Sequence, residues 1–191
     1  VLIEIAGFNG LYIAFSQQEM SNSLWADVFH SISAFCTAGF SVFPDSLMGF
    51  RGNLLVNLVV TVLSIFGAIG FIVVSDIWLS FKNSERQITL TTKVILYSTF
   101  SVLIFGWGYL FFADASMTAL PLGERLLSSW FQSMTAMTTV GFNTHPIENL
   151  VASSVLLMLI LMIIGASPSG TGGGLKTTSV SAAIGTVWAT L

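Results

Sequence analysis

The chain has 191 residues, 54% of them apolar and only 8% charged, with a formal net charge of −3. Soluble domains carry about 25% charged residues, so six Lys/Arg and nine Asp/Glu cannot solvate a globule of this size, and the composition argues for an integral membrane protein. The absence of a basic cluster excludes nucleic-acid partners, and a single cysteine, Cys36, excludes an intramolecular disulfide framework and a cysteine-based zinc site.

A membrane-spanning helix needs about 20 mostly apolar residues. Residues 1–15 are apolar but too short to span. A helix is predicted over 24–35, too short to cross at about 1.5 Å rise per residue. A turn over 36–41 and an apolar span over 53–75 follow. A linker over 81–93 leads to a second span at 94–113, a second short helix at 126–137 and a second turn at 138–144. The last segment, 149–191, is apolar but interrupted by small residues at 165–176. The chain starts without Met, ends inside an apolar stretch, and shows neither a basic n-region nor a cleavage pattern. A fragment of a longer polytopic protein is therefore expected.

Lys82, Arg86 and Lys93 place the segment 76–93 in the cytoplasm, whereas the segments around 16–52 and 114–148 hold one Arg each, Arg51 and Arg125, and belong outside. Trp25, Trp78, Trp107 and Trp130 lie near segment ends, where interfacial anchors or core residues are both expected.

The chain repeats itself at an offset of 102 residues. Residues 29–41, Phe-His-Ser-Ile-Ser-Ala-Phe-Cys-Thr-Ala-Gly-Phe-Ser, align without gaps with 131–143, Phe-Gln-Ser-Met-Thr-Ala-Met-Thr-Thr-Val-Gly-Phe-Asn. Each copy reads as span, short helix, Thr-x-Gly-Phe turn and span. The two units are 1–80 and 94–191, joined by the linker. A short helix ends partway across the bilayer with a partial negative charge at its C-terminus, and non-helical backbone at that depth must be buried in protein or line water. Gly lets consecutive carbonyls turn toward one axis, and Thr adds a hydroxyl oxygen. Together these make a desolvated cation site.

Thr139-Val140-Gly141-Phe142-Asn143 resembles the potassium-channel filter Thr-Val-Gly-Tyr-Gly, with Asn143 in place of the last glycine. That departure is typical of the potassium transporters related to TrkH and KtrB. Gly165-Ala-Ser-Pro-Ser-Gly-Thr-Gly-Gly-Gly-Leu-Lys-Thr-Thr-Ser179 resembles the same superfamily's intramembrane loop, departing at Ala166, Ser169, Gly170, Gly172 and Leu175. The resemblance implies an all-α integral membrane fold of tandem helix–pore-loop–helix repeats, residues 1–80 matching the second and 90–191 the third of four. It implies filter backbone from Thr37, Ala38, Gly39 and Phe40 with Thr139, Val140, Gly141 and Phe142, potassium being held at Thr37, Gly39, Thr139 and Gly141. A gating loop at Gly165, Gly170, Gly172, Gly173, Gly174 and Lys176 is implied as well. So are a homodimer, the remaining two repeats, surrounding lipid and a cytosolic nucleotide-binding regulatory subunit.

The loop also reads without the resemblance. Gly costs about 1 kcal/mol per helical position relative to Ala, so a run of small residues breaks the helix near mid-membrane. An ammonium there is costly unless it meets water or a partner, so Lys176 is expected in a cavity or paired with a carboxylate or carbonyls. A flexible loop that obstructs the path under the filter and opens by displacement follows.

Competing readings are weaker. Leu175 separates the glycines from Lys176 and no strand precedes them, against a nucleotide-binding loop. His30 and His145 lack a second ligand at zinc spacing; His30 is expected to pack or hydrogen-bond on the short helix. No nucleophile motif supports a Ser-His-Asp hydrolase. Cys36 reads as a small buried residue rather than a redox switch. Asp45 and Glu148 read equally as cation-concentrating or merely solvated, Glu4 is undetermined, and Asp76 and Glu85 belong among the basic linker residues. An ion-coupled solute carrier with a midplane site at the broken helix is the alternative, but its inverted repeats would put equivalent loops on opposite sides.

The expectation is potassium uptake across the cytoplasmic membrane, filters outward, without catalysis or a covalent cofactor, potassium being the transported ion. It is coupled to or driven by the membrane potential, worth about 2.3 kcal/mol per charge per 100 mV. One glycine per filter segment implies looser potassium/sodium discrimination than two.

Overall fold

The structure is a computed structural model that describes residues 2–16, 24–83 and 86–190. Glu85 lies outside the described residues. Nine α-helices follow in chain order among the described residues: α1 (Leu2–Ser16), α2 (Leu24–Phe35), α3 (Leu54–Ile69), α4 (Phe71–Lys82), α5 (Leu90–Ala113), α6 (Ala115–Thr118), α7 (Leu122–Thr138), α8 (Ala152–Ile164) and α9 (Thr177–Thr190).

The helices form two clusters. In the earlier half α1, α2 and α3 pack on one another; in the later half α7 packs against α5 and α8, and α9 lies along α5. Contact of α3 with α7 joins the halves. One apolar core runs through the junction, with Leu11 and Phe15 of α1 and Val56, Val60 and Leu63 of α3 beside Phe131, Met134 and Met137 of α7, Val140 and Phe142.

Helix α5, 24 residues and about 36 Å long, is long and apolar enough to cross a membrane by itself. It exposes Tyr97, Ile104, Phe105 and Phe112. Thr89 starts it by accepting the Thr92 amide. Trp25 and Trp78 are exposed, whereas Trp107 and Trp130 are half-buried and packed edge to face at 6.0 Å.

The expected span 53–75 is not one straight helix. It breaks at Gly70, where α4 turns 94° from α3. Gly70 has φ +81°, and a Cβ there would fall 2.3 Å from the Ser169 carbonyl. The last turn of α3 ends in carbonyls without intrahelical partners, and the chain 167–171 takes them. The amides of Ser167 and Thr171 donate to the Ala68 and Gly67 carbonyls at 3.2 and 3.0 Å.

Helix α4 thus carries the end of the expected span and only residues 81–82 of the expected linker, whose last four residues, 90–93, open α5. Asp76 of α4 accepts the Thr89 amide and hydroxyl at 2.9 and 2.8 Å and pairs with Arg86 at 3.4 Å. Hydrogen bonds from Thr89 and Thr92, helped by Arg86, hold its carboxyl down at about 2. The second short helix also starts earlier than expected, at Leu122 instead of 126, with Pro121 at its N-cap, whose carbonyl accepts the Arg125 amide.

Candidate ion-pathway site

The two Thr-x-Gly-Phe turns meet at the junction of the halves. Each short helix ends on a left-handed threonine, Thr37 at φ +50° and Thr139 at φ +57°, followed two residues on by a glycine at positive φ, Gly39 at +67° and Gly141 at +91°. The Thr37 amide bonds the Ala34 carbonyl and the Thr139 amide the Ala136 carbonyl, both at 3.2 Å. The turns touch through their backbones, since a Cβ on Gly39 would lie 1.8 Å from the Val140 carbonyl oxygen.

Hydroxyls on the short helices hold the turns from behind. Ser33 donates to the Phe40 carbonyl at 2.9 Å, and Thr135, 102 residues later, accepts the Gly141 amide at 3.0 Å. Sequence reasoning missed this pair, although the repeat alignment places a hydroxyl at both positions. Ser31 and Ser133, also equivalent, tie α2 to α1 and α7 to α5 through the carbonyls of Glu4 and Leu103 at 2.7 and 2.8 Å.

The halves differ in how they are covered. Val140 and Phe142 are buried in the junction, whereas Ala38 is exposed and Phe40 is 69% exposed. Cys36 is exposed too, contrary to the buried reading. It shares an uncovered flank of α2 with Ile32, whose carbonyl accepts its amide.

At the phenylalanine end, the loop after the earlier turn straps the later one. The Leu47 amide donates to the Asn143 carbonyl at 3.0 Å, the Asn143 amide to Ser46 Oγ at 3.1 Å, and Arg51 Nε to the Thr144 carbonyl at 2.9 Å. No local pattern in residues 46–51 announces this partner. Behind it, the Ser116 hydroxyl donates to Asp114 at 2.5 Å and lies 3.0 Å from His145 Nε2, while Gln132 Nε2 donates to the His145 carbonyl at 2.9 Å. Burial pushes the Asp114 carboxyl up, but donors from Ser116, Ser154, Val151 and Met117 outweigh it and hold it below its ordinary value. Burial and then the Arg51 charge lower His145, with Asp114 opposing them. Asp114, Ser116 and His145 do come together, but the serine proton goes to the carboxylate instead of the imidazole, the reverse of a hydrolase triad. Asp45 and Glu148 are exposed.

At the threonine end, the segment 165–176 between α8 and α9 closes over both turns. Thr37 and Thr139 donate their hydroxyls to the preceding carbonyls of Cys36 and Thr138 at 2.8 and 2.7 Å. Both also meet the segment: the Thr171 hydroxyl lies 3.0 Å from that of Thr37, and the Gly173 amide donates to Thr139 Oγ1 at 2.6 Å. Lys176 Nζ donates to the Gly172 carbonyl at 2.9 Å, a carbonyl partner within its own loop. A Cβ on Gly172 would lie 2.7 Å from the Thr138 carbonyl oxygen.

The sequence model of the TrkH family, described as cation transport protein, matches residues 1–190. The chain belongs to the TrkH family of cation transport proteins. It is 35% identical over 165 residues to the Ktr system potassium uptake protein B of Vibrio alginolyticus, covering 84% of this chain and 36% of that protein. Over 184 residues it is 34% identical to the potassium/sodium uptake protein NtpJ of Enterococcus hirae, covering 94% and 40%. The crystal structure of the potassium transporter TrkH from Vibrio parahaemolyticus superposes with a TM-score of 0.75 at 19% identity, over 95% of this chain and 37% of that one. The chain thus spans between a third and two fifths of the length of these relatives. Its fold is the all-α integral membrane fold of the TrkH/KtrB superfamily.

Proposed function

We propose that this chain forms two adjacent quarters of a potassium uptake pore in the cell membrane. The observation that carries the reading is the pair of equivalent turns, in contact through Gly39 and Val140, with the same loop on both threonine hydroxyls. The C-termini of α2 and α7 bring partial negative charge to the turns, and the backbones of Thr37, Ala38, Gly39 and Phe40 and of Thr139, Val140, Gly141 and Phe142 replace water around the ion. Potassium sits at Thr37, Gly39, Thr139 and Gly141. The Ser33 hydroxyl fixes the Phe40 carbonyl at the outer end of its turn.

The segment carrying Gly165, Gly170, Gly172, Gly173, Gly174 and Lys176 is the gate, lying across the threonine end. Opening breaks its contacts with Thr37 and Thr139. The exposed Ala38 and Phe40 face a further repeat that covers them as α2 covers Phe142. The complete pore needs four such turns, faces its filters outward, and works as a homodimer with a cytosolic regulatory subunit; the Vibrio relative bears the name of a potassium uptake protein and the Enterococcus relative that of a potassium/sodium uptake protein.

Flux through the complete protein in liposomes, potassium against sodium, with Gly141→Ser alongside, tests the reading. Potassium-preferring flux that loses its preference in the variant is expected. Flux of neither ion through folded protein supplied with its regulator overturns it and leaves a midplane carrier in its place.

A further inference from the structure

We propose that His30 is a positioning residue that holds the exits of both filter segments in register and so sets ion discrimination; this rests on the pore reading above. His30 sits in the middle of α2 and is fully buried. Its Nδ1 lies 2.7 Å from the Ala26 carbonyl oxygen, which can only accept, so Nδ1 carries the proton and a neutral ring presents Nε2 as an acceptor. The Ser41 hydroxyl is 2.9 Å from Nε2 and donates to it. Ser41 Oγ in turn accepts the Phe43 amide at 3.0 Å. One chain of hydrogen bonds therefore runs from the helix through the imidazole to the two residues that leave the earlier filter.

The faces of the ring are used as well. His30 stacks on Phe43 with centroids 4.8 Å apart and planes 19° apart, and meets the edge of Phe15 of α1 at 5.6 Å. It also lies 5.9 Å from Phe142, the last residue of the later Thr-x-Gly-Phe turn. A single side chain thus bonds the exit of one filter and packs against the end of the other.

The second repeat supplies an internal control. The residue equivalent to His30 is Gln132, also fully buried, and the residue equivalent to Phe43 is His145. Gln132 donates to the His145 carbonyl at 2.9 Å. Both short helices therefore grip the same exit position, by ring stacking in one repeat and by a hydrogen bond in the other. A planar side chain with a nitrogen at this place is what the two share, so glutamine is the conservative replacement for His30.

The experiment measures rubidium and sodium uptake by the complete protein in liposomes for wild type, His30→Leu, His30→Gln and Ser41→Ala, with thermal unfolding of each in detergent. Selective flux by the wild type is the prior condition, and its absence refutes the pore itself and not this role. His30→Leu is expected to lower the rubidium-to-sodium ratio at least fivefold, His30→Gln to recover most of it, and Ser41→Ala to fall between, all with unfolding midpoints near wild type. A ratio within twofold of wild type in folded His30→Leu overturns the proposal, as does equal loss in the Leu and Gln variants. Should His30→Leu not fold, an unchanged ratio in Ser41→Ala overturns it alone.

Discussion

Replacing Thr171 with valine keeps the size and shape of the side chain and removes only its hydroxyl. That hydroxyl lies 3.0 Å from the Thr37 hydroxyl and 3.3 Å from the Phe35 carbonyl, while the Thr171 amide stays bonded to the Gly67 carbonyl at 3.0 Å. Because the Thr37 proton goes to the Cys36 carbonyl, Thr171 has only its own proton to give, shared between Thr37 Oγ1 and the Phe35 carbonyl, and the substitution loses one hydrogen bond. Such a bond contributes about 0.5–1.5 kcal/mol. The closed arrangement of the loop therefore loses about 1 kcal/mol relative to a displaced one. At about 1.4 kcal/mol per factor of ten, the open population rises roughly fivefold when it is small. Potassium uptake into liposomes under an imposed inside-negative potential reads this as a faster initial rate without a change in ion preference. A rate within twofold of wild type, from protein with a wild-type unfolding midpoint, refutes the claim that these contacts hold the gate shut.

The two filter glycines are expected to fail differently. Gly39→Ala forces a Cβ to within 1.8 Å of the Val140 carbonyl and displaces the neighbouring turn, whereas a Cβ on Gly141 meets nothing closer than the Gly39 Cα at 3.9 Å and suffers only its φ of +91°, about 1–2 kcal/mol; relative potassium and sodium fluxes should fall further in Gly39→Ala than in Gly141→Ala. Arg51→Leu removes the bond to the Thr144 carbonyl, and hydrogen exchange of the amides at 143–145 should speed up several-fold. The Asp76 carboxyl, depressed to about 2 in the fold against about 3.9 unfolded, stabilises the α4–α5 corner fully above about pH 4 and loses that contribution as pH falls through 2. Protection of the Thr89 amide should follow that profile and become independent of acid pH in Asp76→Asn.

Much of the architecture is legible in the sequence because the controlling signals are local. The apolar run 94–113 makes most of α5, and Gly39 and Gly141 mark turns that only a residue tolerating positive φ accepts without strain. The bend at Gly70 is not legible: residues 53–75 carry no charge anywhere, and what ends α3 is a loop a hundred residues away that bonds its last carbonyls. The strap from Ser46, Leu47 and Arg51 to 143–144 is illegible for the same reason, since its partner lies in the other half. Cys36 misleads because nothing local in the sequence says which flank of a short helix is covered, and Cys36 falls on an uncovered one. Ser33 and Thr135 were within reach, as hydroxyls at one repeat position, but their role needs the geometry of the turn they hold.

The glycine-rich loop shows why composition and mechanism must be separated. Small residues after Ile164 read as slackness, yet the loop is tightly seated. A Cβ on Gly170 would come within 1.8 Å of the Ala68 carbonyl oxygen, and one on Gly172 within 2.7 Å of the Thr138 carbonyl oxygen. The glycines let backbone meet backbone, so that the loop amides satisfy the carbonyls at the end of α3 while Thr171 and Gly173 reach the two filter threonines. Exposed backbone polar groups at membrane depth cost several kcal/mol each, which ties movement of this loop to the fate of α3. On the proposed reading, a displacement of the loop must either carry the α3 end and the Gly70 bend with it or admit water to the carbonyls it uncovers. On the proposed pore reading, such a gate switches between two bonded arrangements, and its contacts with Thr37 and Thr139 couple the two turns to the end of α3.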